Sequence, residues 1–158
     1  MRNVNPRPIA VVGIGNILMH DEGIGVRVIE HLAQMKLPDG VELVDGGTAG
    51  ADLIDVFSDR KLLIIVDAIS GEYAPGTVLR MSPEDTVKAD VTALSLHEVG
   101  IVETLEMTKH LNCAPQKVVV FGVKPGELSC GIGLSPEMEG LVEILSRLVL
   151  TEIHRVKA

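Results

Sequence analysis

Aromatic residues are nearly missing from this chain: one tyrosine, two phenylalanines and no tryptophan occur in 158 residues. The core must therefore be aliphatic, drawn from the Val, Ile, Leu, Met and Ala that dominate a 46% hydrophobic composition. Branched aliphatics suit strands buried on both faces, which favours a parallel sheet covered by helices. Basic charge is also scarce. Fourteen Lys and Arg stand against 22 Asp and Glu, a formal net charge of −8, which argues against a nucleic-acid backbone or an anionic membrane as partner. It fits a small ligand, a cation, or a protein partner with a basic segment. The two cysteines, Cys113 and Cys130, are too distant for a CxxC motif and too few for a disulfide framework. They read as reduced thiols of a cytoplasmic protein. No apolar run approaches the ~20 residues needed to span a bilayer. Arg2 and Arg7 precede the apolar Ile9–Val12, but Gly13, Gly15 and Asn16 interrupt it. Cleavage there as a signal peptide would remove the first strand.

What is present is an alternation of strand and helix patterns. No repeat, low-complexity tract or linker divides the chain, so residues 1–158 are expected to form a single α/β domain. Strands are expected over 9–12, 41–44, 61–68, 77–81 and 118–123, the fourth as an antiparallel edge. They would make a twisted, mostly parallel five-stranded sheet with helices on both faces. Helical spacing of Ile24, Val28, Ile29 and Leu32 predicts a helix over 22–35 with Asp21 as N-cap. Thr48 can cap a short helix over 49–57. The segment 82–92 is polar and reads as a surface loop. Ser95-Leu96-His97-Glu98 has the form of a capping box that opens a helix to about Leu111. A Gly- and Pro-punctuated loop, 124–134, has a length usually kept for function. Ser135-Pro136-Glu137 then starts the last helix with an N-cap, Pro at the first helical position and an acid in the first turn.

The chemistry-bearing residues gather at strand ends. Gly13-x-Gly15 follows the first strand and precedes a helix, as in a dinucleotide-binding turn, with Asp45 closing the next strand where a ribose-binding acid would sit. The third position of G-x-G-x-x-G is Leu18, however, and His20-Asp21-Glu22 would push negative charge towards a pyrophosphate. Asp67 follows LLIIV, where a buried strand would rather hold another aliphatic. An acid there either caps a turn or lies on a site at the carboxyl edge of the sheet. Glu22 either complements the first helix dipole or belongs to that same site. His97, in the first turn of its helix, should stay neutral and able to ligate a metal. Glu98 has its own role in the capping box. Together Glu22, Asp67 and His97 make a mixed oxygen–nitrogen set suited to a transition-metal dication with open positions. If strands one and three are neighbours, Glu22 and Asp67 face each other across the sheet edge. His31, His110 and His154 read as helix residues, while His20 lies close enough to be a further ligand.

At these residues the chain resembles the nickel–iron hydrogenase maturation endopeptidases. The motifs are GIGNILMHDEGIGVRVIEHL at 13–32, DGGTAG at 45–50, LLIIVDA at 62–68, His97, and FGVKPGELSCGIGLSPE at 121–137. Five motifs in order over nearly the whole chain make the resemblance specific. It implies a protease that removes the C-terminal extension of a hydrogenase large-subunit precursor. The metal-contacting set falls on Glu22, Asp67 and His97, as catalytic and metal-facing residues. The Asp-Gly-Gly turn falls on Asp45, Gly46 and Gly47, as substrate-binding residues: the glycines allow close backbone approach and Asp45 meets a basic substrate residue. The resemblance also implies that nickel is presented by the precursor's own cysteines rather than held permanently by the peptidase. Cleavage follows a His or Arg just downstream of the last of those cysteines. Other divalent cations would suit the same donors. Two readings compete with proteolysis: a non-catalytic chaperone of the nickel-loaded large subunit, and a dinucleotide-binding module.

Overall fold

The computed structural model describes residues 7–47, 53–88, 92–93 and 101–157. Its strands are β1 (Ile9–Ile14), β2 (Val41–Gly47), β3 (Leu62–Ser70), β4 (Val78–Met81), β5 (Thr92–Ala93) and β6 (Val118–Val123). The helices are α1 (Ile24–Leu32), α2 (Leu53–Phe57), α3 (Pro83–Lys88), α4 (Ile101–His110) and α5 (Pro136–Lys157), with a 3₁₀ turn at His20–Gly23 before α1. The main sheet runs β2-β1-β3-β6-β4, and the two-residue β5 pairs with the far end of β3. All pairings in the main path are parallel except β4 with β6. The expected α/β class, the mostly parallel sheet and the antiparallel edge are thus present.

Alternation along each strand sends side chains into two aliphatic layers. Ile9, Val11, Leu62, Ile64, Val66, Val119 and Phe121 join Ile24, Val28 and Leu32 of α1 and Leu145, Val149 and Ile153 of α5 on one face. Ala10, Val12, Leu63, Ile65 and Val120 join Leu53 and Phe57 of α2 and Ile101 and Leu105 of α4 on the other. The continuous run LLIIV is required because β3 is central and covered on both sides, with every residue from Leu62 to Ile69 buried.

Four boundaries differ from the sequence expectation. The helix predicted from Glu22 begins at Ile24, because the chain first makes the 3₁₀ turn. Strand β2 continues to Gly47 through a bulge opposite Gly13 and Ile14, where Gly47 adopts φ +40°. Strand β3 runs past Asp67 to Ser70, so Asp67 lies within the strand, opposite Gly122, rather than at its end. The supposed loop after Met81 contains α3. There the Ser82 N–H donates to Asp85 Oδ2 (3.0 Å) and the Asp85 N–H to Ser82 Oγ (3.3 Å), a reciprocal cap ahead of Pro83. Thr48, Ser95, His97 and Glu98, with their proposed caps, lie outside the described residues.

The antiparallel edge is anchored to α5 through Glu152. Its side chain is only 3% exposed and accepts from Arg80 Nε of β4 at 2.5 Å, with Arg155 at 3.4 Å and Lys117 Nζ at 3.9 Å. The Arg80 hydrogen bond outweighs burial, which acts the other way, and the surrounding cations add to it, so the Glu152 carboxyl is held below the usual glutamate range. A depressed folded-state pKa adds stability at neutral pH that disappears as pH falls through that pKa. Glu152→Gln is expected to lower stability by about 1–3 kcal/mol at pH 7. The deficit should shrink in acid, below the ordinary glutamate value of about 4.3. Urea denaturation of both proteins at pH 7 and pH 3 measures it; an equal deficit at the two pH values would contradict this.

Candidate active site

Glycines decide where the first acid sits. A Cβ on Gly13 would lie 2.1 Å from the Gly25 carbonyl oxygen, and one on Gly25 would lie 2.2 Å from the Val66 carbonyl oxygen and 2.5 Å from that of Ile14. The amino end of α1 therefore rests directly on the backbones of β1 and β3, closer than any side chain permits. Gly15, at φ +139°, has the Glu22 carbonyl oxygen where its Cβ would be, at 1.9 Å. This packing brings the 3₁₀ turn that carries Glu22 against the carboxyl end of β3, next to Asp67, the residue after Val66. Glu22 is half-buried and its N–H donates to the Met19 carbonyl at 3.1 Å. The adjacency of β1 and β3 on which the Glu22–Asp67 pairing depended is realised.

The same contacts weigh against a dinucleotide. The hollow of the Gly13–Gly15 turn is filled by the carbonyl oxygens of Glu22 and Gly25. A pyrophosphate needs bare N–H groups there, and carbonyl oxygens have the wrong polarity.

Asp67 is fully buried, and its Oδ1 accepts the Ala68 N–H at 2.8 Å. Strand parity puts it on the face of Leu63, Ile65 and Ile69, the face covered by α2 and α4. Keeping a carboxylate inside an aliphatic strand is costly for structure alone. Asp45 is exposed at the carboxyl end of β2, while Gly46 is buried, a Cβ there meeting Val12 Cγ1 at 2.9 Å. Gly46 is thus a packing residue, and Gly47 supplies the positive φ of the bulge. His97 belongs to the segment outside the described residues. Among the described residues no group of three or more His, Cys, Asp or Glu is arranged to hold a metal ion.

Asp21, expected as an N-cap, makes no capping bond; Gly23 occupies the N-cap position of α1. Its fully buried carboxylate turns the other way and gathers the loop that precedes α5. Oδ2 accepts the N–H groups of Gly126 (2.9 Å) and Glu127 (2.7 Å) and the Ser135 hydroxyl (2.9 Å). Oδ1 accepts the Ser135 N–H at 2.7 Å. Burial would raise its pKa, but the donors from Ser135, Glu127 and Gly126 outweigh it and hold the carboxyl below the usual aspartate range. Ser135 holds the expected N-cap position of α5, directly before Pro136, with its carbonyl accepting the Glu139 N–H at 2.9 Å, while its hydroxyl proton goes to Asp21. Nothing in the local pattern signals this link, because donor and acceptor are more than a hundred residues apart.

His20, at φ +45°, lies on the same seam. Its Nδ1 contacts the Gly133 carbonyl at 2.9 Å, which makes Nδ1 the donor. The ring occupies the space a side chain at 131 would need: a Cβ on Gly131 would lie 2.1 Å from Nε2. His20 is thereby a buttress of the loop. Cys130 is exposed, its Sγ 3.7 Å from Met19 Sδ, and Cys113 is half-buried with Sγ 3.3 Å from Ser58 Oγ.

A cavity of about 320 Å³ lies elsewhere, lined by Pro83, Val102, Leu105, Pro115 and Val118. It borders the start of β6, four residues or ~13 Å along the strand from the Asp67 level. Neither Glu22 nor Asp67 lines this cavity. No helix among the described residues is long and apolar enough to cross a membrane.

The chain and its fold are similar to those of known proteins. The chain is 40% identical to the hydrogenase 2 maturation protease of Escherichia coli, over 92% of this chain and 90% of that one. It is 35% identical to the hydrogenase expression/formation protein HupD of Rhodobacter capsulatus, over 94% of this chain and 72% of that one. Among solved structures, the hydrogenase maturating endopeptidase HybD of E. coli superposes with a TM-score of 0.85 at 39% identity, covering 93% and 92% of the two chains. The hydrogenase 2 maturation peptidase of a Thaumarchaeota archaeon gives 0.69 at 34% identity, covering 92% and 97%. The model of the family described as HycI, hydrogenase maturation protease, matches residues 26–152. With that match and an α/β fold that brings an acidic turn to the carboxyl edge of the sheet, the chain belongs to the hydrogenase maturation proteases.

Proposed function

We propose that this protein removes the C-terminal extension of a nickel-loaded precursor of a nickel–iron hydrogenase large subunit, in the cytoplasm, with Glu22, Asp67 and His97 facing nickel that the substrate presents. The observation that carries the reading is the glycine-enforced seat of the Glu22 turn against β3, beside a fully buried Asp67. Helix α4 stands on the face that Asp67 shares, and His97 is four residues ahead of its first residue, Ile101. Two carboxylates and an imidazole suit a borderline dication, nickel or another divalent ion in its place.

Bound there, the metal would supply Lewis acidity and a lowered pKa for an attacking water. The chain's own residues do the rest. Glu22 and Asp67 orient the metal-bearing segment of the precursor, and whichever carboxylate is less engaged accepts the water proton as general base. Asp45, exposed at the end of β2, would meet a basic residue at the cleavage point. The net charge of −8 favours such a basic segment.

The test is the mass of the nickel-loaded precursor after incubation with purified protein. Wild type is expected to shorten it. Glu22→Gln, Asp67→Asn and His97→Ala are expected to slow shortening by about 10²-fold or more while keeping the wild-type circular dichroism. Full processing by all three variants would overturn the assignment. An unshortened precursor bound stoichiometrically by wild type would favour a chaperone.

A further inference from the structure

The loop 126–135 is too firmly held for a passive connection. Besides the four donors that converge on Asp21, the Asp21 N–H donates to the Glu127 carbonyl at 2.9 Å and the His20 N–H to the Gly131 carbonyl at 2.9 Å. The Gly131 N–H returns to the Leu18 carbonyl at 2.8 Å, and His20 Nδ1 reaches Gly133. Every one of these bonds joins the loop to residues 18–21, immediately ahead of Glu22. Yet the loop turns apolar side chains to solvent, Leu128 at 39% and Ile132 at 72% exposed, beside Leu18 at 56%. Exposed apolar tips on a tightly pinned backbone suit a standing surface for a protein chain rather than a mobile lid.

We propose that Asp21 is a positioning residue that locks the loop 126–135 to the Glu22 turn, so that the loop is a preformed wall for the precursor beside the acids. This rests on the function proposed above. The carboxylate is needed because all four convergent groups are donors. An amide at residue 21 would turn an NH₂ towards at least one of them, so Asn cannot replace Asp at nearly identical size. Part of the population would then hold the loop away, and apparent affinity for the precursor falls in proportion to the fraction that remains competent.

Asp21→Asn is therefore expected to raise KM for the nickel-loaded precursor by about tenfold, the effect of one competent molecule in ten, with kcat near wild type. Ser135→Ala, which removes one donor of the four, should raise KM by less. Hydrogen exchange of the free protein supplies a second readout, with faster exchange expected at the Gly126, Glu127 and Ser135 amides in Asp21→Asn and unchanged exchange in β3. A fall in kcat at constant KM would overturn the proposal, because it would mean lost active protein or disturbed acids rather than a displaced wall. Unchanged loop exchange would overturn it as well. If wild type cuts no precursor, the functional assignment fails, and the exchange result still decides whether Asp21 holds the loop.

Discussion

Gly25→Ala is expected to cost about 3 kcal/mol or more, at or beyond the upper end of typical overpacking. For a chain of this size that is a fall of roughly 6–12 °C in Tm. The added methyl would lie 2.2 Å from the Val66 carbonyl oxygen, 2.5 Å from the Ile14 carbonyl oxygen and 2.8 Å from the Ile14 nitrogen. All three are backbone atoms of neighbouring strands, so no rotamer change relieves the overlap. Helix α1 must lift from the sheet, and Ile24, Val28 and Leu32, each fully buried, lose packing together. Processing should fall further than stability does, because the Glu22 turn moves with the helix. Gly140→Ala is the control. It lies in α5 with nothing within 4 Å of the new Cβ, so it should be neutral or stabilise by up to about 1 kcal/mol. Thermal denaturation followed by circular dichroism distinguishes the two, and a Gly25→Ala protein as stable as wild type would refute the close approach.

Arg60→Ala should be comparably destabilising for a different reason. This guanidinium has a side chain only 1% exposed, and it satisfies three separated acceptors. Nε donates to Val56 O at 2.7 Å, one terminal nitrogen to Arg7 O at 2.6 Å and the other to Glu42 Oε2 at 2.7 Å. One side chain thereby ties α2, the entry to β1 and β2 to the start of β3. Its loss leaves two backbone carbonyls without their donor and opens a large void, for about 3–5 kcal/mol. The Tm should drop by roughly 6–20 °C. Arg60→Lys is expected to recover little, since an ammonium lacks the fork that spans three directions. Arg60 stands at the amino end of β3, away from Asp67, so the variant should still process precursor at temperatures where it is folded. Loss of activity without loss of stability would show that Arg60 has a part in the site.

Much of this fold is legible in the residues. The aliphatic run at 62–66 announces a central strand, and the spacing of Ile24, Val28 and Leu32 announces a helix against it. Element boundaries are less so, since β3 extends through Asp67 and β2 through Gly47 by pairing with neighbours that no local pattern reveals. Helix α3 is a different case. Ser82-Pro83-Glu84 carries the same start signal as Ser135-Pro136-Glu137, but only a few residues follow and they lack an apolar stripe, so the polar composition dominates the reading.

The residue types proposed for the site are legible in the sequence alone: acids at 22 and 67 and a histidine at 97, with the glycines at 13 and 15 in the turn before them, in an order that marks the family. Local chemistry was enough, because a carboxylate after LLIIV or a histidine behind a capping serine is conspicuous against its neighbours. Tertiary structure decided what those residues do to one another. It showed that Gly15 and Gly25 yield their side-chain space to the backbone of the Glu22 turn and to the strands, and not to a phosphate. It also redirected Asp21 from the helix it precedes in sequence to Gly126, Glu127 and Ser135. A buried carboxylate takes whichever N–H groups the fold brings within reach, and those donors belong to a loop more than a hundred residues away.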